Sequence, residues 1–565
     1  MNWHFLLQVF VKDPDNHLAN WSNSSSICNW VGVMCDAHHE RVIALNLGEM
    51  GLKGTLPSKN GNLSFLVKLD LHSNNLHGEL PKELIQLHKL QILNLNYNEF
   101  NGEIPIWIGS LLMLQHFHLR NNSFGGFIPP NVSNLSKLET LDWRFNSIER
   151  SIPFEIGKLQ CLKILWIGGN KLSGRIPPTI SNLSSLEMLS LSYNSLTGDI
   201  PREIGHLQNL KLLYLGGNKL SGQIPSNIFN ISELQEIDLS WNNLSESIPS
   251  SVCHGLPKLQ GLYLQHNALS GALPSIWVQC EELKDIQLEY NSFTGNIPQT
   301  IGDLTNLKII LLGANKLSGQ IPRNIGNMTK LQGLDFNGNN IEGHIPKSIG
   351  NLTMLQQLIV GSNNLEGSIS KVIGGFQDLQ YLNLEGNELH GLIIDEICEI
   401  TKLAYLSLSI NKFSGGIPHC LGNVTSLREL YLDSNKLILK IPSSFWNLKD
   451  ILKVNLSSNI LVGNVSSFGN LNVLISLDLS RNHISGNIPT SLGGLKNLQD
   501  LSLAHNNLQG NIPKSFGNML SLVNLVLFEN NLAGEIPKSL ESLILSISTS
   551  PTTNYKERFQ MVEFL

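Results

Sequence analysis

Arg120 and Arg144 are the residues whose type and spacing most invite chemistry: each stands two residues before an asparagine, one 24-residue interval apart. If those positions stack, two like charges repel until an anion compensates them, and paired guanidinium forks suit a carboxylate or another acidic group. Asp142, together with water, is the competing partner, and His116, His118 and Phe145 complete the neighbourhood. Asn121 opens an Asn-Asn-Ser sequon beside the pair, so a glycan there would hinder access. Four residues before other asparagines come Trp166, Tyr214 and Tyr263, flanked by Tyr193, Trp241, His266 and Tyr290. Exposed on one face, such aromatics anchor a peptide or protein interface; packing against neighbouring residues is the plainer alternative. Trp143 falls at an inward position and is expected in the core. Together these residues outline a ligand track from about Asn122 to Asn291.

Nothing comparable points to catalysis. The 17 histidines include no H-E-x-x-H pattern, the cysteines no C-x-x-C, and His38-His39 reads as a loop pair, so no metal is expected. The carboxylates are scattered and form no spaced general acid and base. A Gly-rich loop with its strand lysine, H-R-D and D-F-G are all missing, so no phosphoryl transfer, no catalytic residue and no cofactor is expected. Charged residues make up 15% of the chain and the formal net charge is -6, a balance that excludes a counterion-displacing nucleic-acid binder. No run of roughly 18 apolar residues is present to span a bilayer. The first eleven residues are partly apolar but lack a basic start and a small-residue cleavage site, which makes a poor signal peptide.

The elements that would position these residues follow from a repeat. Asparagines at 74, 98, 122, 146, 170, 194, 218, 242, 267, 291 and on to 530 mark a motif L-x-L-x-x-N-x-L-x-G-x-I/L-P, spaced by 24 apart from one interval of 25 and one of 23. So little drift means that each repeat is one turn of a single superhelix. The L-x-L pair alternates as a strand does, leucines inward and x outward. Each marker asparagine can serve backbone groups that the turning chain leaves unpaired, so the asparagines should form a ladder. G-x-I-P supplies a flexible turn, an apolar anchor and a proline that opens a short helix-like return. The expected fold is an α/β solenoid, a right-handed superhelix with a parallel β-sheet on its concave face and short helical or 3-10 turns on its convex side. Its organisation reads as a cap over 1–41, about 21 repeats of 24 residues over 42–540, and a divergent, poorly ordered tail over 541–565. In the cap, Cys28 and Cys35 are expected to form a disulfide, with Trp21 and Trp30 as the apolar lid on the first turn.

The G-x-I-P repeat, together with the cap at Asp13, Pro14, Leu18 to Ser22 and Cys28 to Cys35, closely resembles the extracellular domains of plant leucine-rich-repeat receptor kinases. Within them it is similar to the subfamily of the flagellin and elongation-factor-Tu immune receptors, over roughly residues 11 to 542. The resemblance implies a ligand-recognition domain that binds a peptide or protein on its concave face, for defence or developmental signalling. It also implies a co-receptor kinase at the C-terminal repeats and a place on the extracellular, apoplastic face of the plasma membrane. Sequons fit that setting, with Asn62, Asn131, Asn182, Asn230, Asn327, Asn351 and Asn423 as candidate glycosylation sites. Members continue into a membrane helix and a kinase. Here residues 546–565 break the repeat, and codons permitted for Tyr555 to Glu563, read two bases later, restore G-E-I-P. The tail is therefore expected to be out-of-frame sequence from a longer receptor gene.

Some features stay open at this level. Cys253 with Cys280, and Cys398 with Cys420, sit at similar offsets in adjacent turns and are candidate bridges; Cys161 is left over and reads as inert. Arg150, Glu246 and Leu439 replace the turn glycine, and Ser370 and Ile394 the proline, which should alter curvature or mark a ligand loop. Competing functions are a secreted inhibitor of cell-wall polygalacturonases, a soluble decoy, and an intracellular scaffold, the last at odds with a cap disulfide.

Overall fold

The structure, a computed structural model, describes residues 11–22, 25–56, 64–249, 252–275, 277, 279–465, 468 and 471–540. The readings of the 541–565 tail, of the first ten residues and of the sequon at Asn62 fall outside the described residues. The chain divides into two compact units, Met1–Phe293 and Thr294–Leu565.

In the first unit the L-x-L segments from Leu69 onward each form a three-residue strand. His116–His118, Thr140–Asp142, Ile164–Trp166, Met188–Ser190 and Leu212–Tyr214 pair in parallel. Their middle residues Phe117, Leu141, Leu165, Leu189 and Leu213 lie opposite one another, at 1% exposure or less. Because the register advances by one whole turn, outward residues at equivalent positions also stack into columns. Val33–Cys35 covers the first repeat strand, Val42–Asn46, in antiparallel fashion. Beside it the Cys28–Cys35 disulfide holds the cap, where Trp21 and Trp30 stack at 4.9 Å and are both buried. The Trp21 indole N–H donates to the Val31 carbonyl at 3.0 Å, so the lid is apolar without stranding a donor.

The returns are tighter than α-helices, and among the described residues every helical segment is 3-10. In Phe154–Lys158 the Pro153 carbonyl accepts from the Ile156 N–H at 3.1 Å. The core residues Ile156, Leu159 and Leu162 recur every three positions, which matches three residues per turn better than 3.6. Gly157 lets the next return approach, since a Cβ there would lie 2.3 Å from the Thr179 carbonyl oxygen.

Each marker asparagine grips the preceding turn. Asn218, buried, donates from Nδ2 to the carbonyls of Leu191 and Leu215, both at 3.0 Å, and its Oδ1 accepts from the Leu196 N–H at 3.0 Å. The ladder is thus asparagine to neighbouring backbone rather than asparagine to asparagine.

One element was not anticipated from the sequence. The residues after the marker asparagine, read as turn, form a second parallel sheet: Ser195–Asp199, Lys219–Gln223 and Asn243–Ser247 pair through Thr197 with Lys219 and Ser221 with Asn243. Its glycines carry a positive φ, +78° at Gly198 and +74° at Gly222. Arg150 and Glu246 keep that conformation at +65° and +70° despite their side chains. At Arg150 the sheet itself is interrupted, a single bridge from Phe127 to Glu149 replacing the ladder. Cys253 and Cys280 are disulfide-bonded in this unit.

The second unit repeats the same design, with Leu334 opposite Leu358 and Leu382 opposite Leu406. Its second sheet breaks after Lys436–Leu437, beside Leu439 at φ +69°, and resumes at Val462–Asn464. A Cys398–Cys420 disulfide joins the adjacent returns Asp395–Glu399 and His419–Asn423.

Candidate functional site

Outward columns cross the first unit's sheet six, four and two residues before the marker asparagine, and a fourth stands immediately before it. That last column has a backbone cause. Tyr97, Asn121, Phe145, Tyr193, Trp241, His266 and Tyr290 all have φ between +52° and +55°, and Gly169 and Gly217 occupy the same place at +68°. A left-handed turn for a side-chain-bearing residue costs about 1–2 kcal/mol. It is held because each such N–H donates to the next turn, as Tyr193 does to the Gly216 carbonyl at 2.8 Å. The side chain is thereby thrown onto the rim, leaving Phe145 48%, Tyr193 67%, Trp241 56% and Tyr290 56% exposed.

At the basic end the two arginines part company. Arg144 donates Nε to Asp142 Oδ1 at 2.8 Å and Nη2 to Oδ2 at 2.7 Å, and its guanidinium lies 3.9 Å over the Trp166 ring. Arg144 is therefore committed to Asp142, the competing partner foreseen above. Arg120 has no carboxylate; its guanidinium sits between the rings of Tyr97, at 5.3 Å, and Phe145, at 5.6 Å. An anionic ligand group would be met first by Arg120. His118 is held below the ordinary histidine value, chiefly by burial, against the opposing pull of Asp142. His116 stacks near it at 6.2 Å and contacts Thr140 Oγ1 at 3.2 Å. Asn121 is exposed on the rim beside this group.

Farther along, the aromatics fall into two kinds. Tyr214 donates its hydroxyl to Glu236, and Tyr263 stands beside Asp285, so these half-buried rings face carboxylates on neighbouring strands. Burial first, and the carboxylates second, push both phenols well above the ordinary tyrosine value. The Tyr263 ring lies across Gly261, where a Cβ would stand 2.7 Å from its hydroxyl. Asp285 is itself raised, mainly by burial. Trp241, His266 and Tyr290 instead form one stack on the rim, with centroids 3.6 and 4.2 Å apart. Trp143 is wholly buried, in edge contact with Phe117 at 5.3 Å.

The same column rule, extended, finds a group overlooked in the sequence. In the second unit Tyr381 and Tyr405 stack at 4.0 Å, and Tyr431 tilts against Tyr405 at 5.5 Å. Glu385 accepts from Ser407, and Asp433 from Ser409, beside them. Their positions six and four residues before Asn387, Asn411 and Asn435 were readable in principle.

Among the described residues no group of histidine, cysteine and carboxylate side chains could hold a metal, and no helix is long and apolar enough to cross a membrane. Asn131, Asn182, Asn230, Asn327, Asn351 and Asn423 are all exposed, on 3-10 returns. Cys161 is an exposed free thiol.

Known proteins share this arrangement. The family descriptions "Leucine rich repeat N-terminal domain" over residues 6–36 and "Leucine-rich repeat region" over 107–221 both match. "Leucine Rich Repeat" matches eight further segments from 65–87 to 497–519. The plant peptide hormone receptor RGFR1, solved in complex with RGF2, is 36% identical, with a TM-score of 0.85 over 92% of this chain and 82% of that one. The chain belongs to the plant leucine-rich-repeat receptor-kinase ectodomains. The Arabidopsis receptor kinase HAESA, solved with the peptide hormone IDA and the co-receptor SERK1, is another ectodomain of this kind. It is 30% identical, with a TM-score of 0.82 over 97% of this chain and 98% of that one. The LRR receptor-like serine/threonine-protein kinase EFR of Arabidopsis thaliana is 42% identical over 87 residues, which are 15% of this chain and only 8% of that relative.

Proposed function

We propose that this ectodomain is the recognition part of a cell-surface receptor that binds a peptide or protein on the open sheet face of its first unit, in defence or developmental signalling. The stack of Trp241, His266 and Tyr290 carries the reading: Trp241 and Tyr290 are more than half exposed, and each stacks on His266. Side chains so placed lower no folding energy commensurate with their size, and they offer a ligand large, rigid contact area. Arg120 supplies a cation for an acidic ligand group at the other end of the same face. Peptide complexes of RGFR1 and HAESA support the ligand class, and exposed sequons and three disulfides support an extracellular setting on the plasma membrane. A co-receptor kinase is proposed to engage the C-terminal turns of the second unit.

The test is a binding screen of the full chain, secreted from plant cells, against microbial and endogenous peptides. Trp241→Ala and Arg120→Ala should each weaken any peptide found by ten-fold or more; unchanged binding by both would remove the assignment.

A further inference from the structure

In the second sheet of the second unit, residues one, three and five places after a marker asparagine face outward while the residue two places after it is buried, as Leu317 is within Lys316–Gln320. From Thr294 to Glu535 those outward places hold polar residues, glycine or alanine, except at Leu392, Ile438, Ile460 and Val462. The exceptions cluster. They fall within the successive turns marked by Asn387, Asn411, Asn435 and Asn459, and Leu439 joins them from a place where most turns have glycine. All of these apolar side chains are 40–61% exposed or nearly so, from Val462 at 40% to Leu392 at 60%.

Backbone bonds make one surface of them. The N–H of Ile438 donates to the Gly415 carbonyl at 2.9 Å, that of Ile460 to Leu437 at 2.8 Å and that of Val462 to Leu439 at 3.0 Å. Gly415 and Gly416 put no side chain between the leucines: a Cβ at Gly415 would overlap Leu392 Cδ2, and one at Gly416 would lie 3.2 Å from Leu439 Cδ1. Leu439 takes its place at φ +69°, which strains a leucine and not a glycine. Strain and exposed apolar surface thus coincide, and strain of this kind gathers at binding sites. Charge brackets the strip. Lys436 and Lys440 flank Ile438 and Leu439, and neither has a carboxylate partner among the described residues, whereas Lys412 in the preceding turn is paired with Glu388.

We infer that this strip on the second sheet is a docking surface for a partner protein that presents apolar side chains flanked by carboxylates. It is separate from the open sheet face proposed for the peptide, and it stops short of the C-terminal turns proposed for a co-receptor. The lysines select the occupant. A second copy of this chain would bring its own Lys436 and Lys440 to the strip, because a two-fold contact sets one patch against itself, and like charges would meet. A bilayer on the extracellular side offers the leaflet that is poorer in anionic lipid. A carboxylate-flanked apolar segment serves the leucines and the lysines together, covering the first and pairing the second.

A random dodecapeptide library displayed on its encoding RNA, selected on the immobilised full chain with excess Leu439→Gly chain in solution, tests this. The competitor removes peptides that bind elsewhere, and it keeps the fold because glycine is what other turns carry there. Peptides that survive should combine adjacent apolar residues with Asp or Glu. They should bind Leu439→Gly about ten-fold more weakly than the unaltered chain, and the double variant Lys436→Glu, Lys440→Glu about ten-fold more weakly as well. Ile438→Ser, which installs the residue found at Ser318 and Ser414, gives a second reading should Leu439→Gly melt early, with the same loss expected. No surviving peptide, or survivors indifferent to the lysine reversal, overturns the inference. So does a dimer of the unaltered chain in sedimentation that Leu439→Gly abolishes, since a second copy would then be the occupant.

Discussion

Asp142 receives both hydrogen bonds that Arg144 can aim at it, Nε to Oδ1 and Nη2 to Oδ2, at 2.8 and 2.7 Å. The carboxylate is nearly inaccessible and the guanidinium mostly so, with side-chain exposures of 6% and 22%. Removing one member of such a pair strands the other charge. Asp142→Ala should therefore destabilise the chain by about 3 kcal/mol, seen as a lower thermal midpoint. A loss indistinguishable from zero would mean that water serves Arg144 equally well.

Arg150, Glu246 and Leu439 hold φ values of +65°, +70° and +69° where other turns have glycine. The left-handed conformation costs a side-chain-bearing residue about 1–2 kcal/mol, whereas glycine brings an entropic cost of about 0.5–1 kcal/mol. The first term wins narrowly. Replacing any of the three with glycine should raise stability by about 0.5–1 kcal/mol. Leu439→Gly also removes a side chain that is 57% exposed, so it should reduce surface hydrophobicity by dye binding. Lowered midpoints in all three variants would show that the side chains make compensating contacts.

The asparagine bonds have a direction. Asn242 Oδ1 accepts from the Leu220 N–H at 2.9 Å in the preceding turn, while Leu244 on its own turn relies on Asn267. Asn242→Ala should cost about 2–3 kcal/mol through stranded buried groups. Amide exchange should accelerate at Leu220 before Leu244; equal acceleration would contradict the one-way linkage.

His118 is depressed below the ordinary 6.5, first by burial. The unfolded chain takes up a proton at this residue as pH falls through about 6.5, and the folded chain resists it. Its contribution to stability is thus present above that value and lost as pH falls toward the folded value. Asp285, raised by burial, carries the opposite sign, so the comparison must isolate the histidine. The thermal midpoint should drop between pH 7.5 and pH 5.5, and His118→Gln should drop less. Identical slopes would remove the histidine from the account.

Most of the frame was readable because the repeat exposes its period directly: inward leucines, marker asparagines and prolines each have a local physical reason to recur. Trp143 could be placed in the core from its position alone. The second sheet could not, since its register advances by 22 residues, as from Thr197 to Lys219, and glycine-rich segments read as turns. The split fate of Arg120 and Arg144 was likewise invisible. Column arithmetic places both on one line, but only side-chain geometry shows that Asp142 takes one and leaves the other between rings. The left-handed column had a sequence trace, glycine at 169, 217, 338 and 386, that is obvious only once the dihedral angles are known.

That left-handed residue has a consequence for descent. Its direction is set by the backbone bond to the next turn, and its side chain owes nothing to the core, so tyrosine, tryptophan, histidine, serine and glycine all occupy it. A lineage can exchange these residues one at a time without renegotiating the fold. Recognition can then diverge at the pace of single substitutions while the scaffold beneath stays the same.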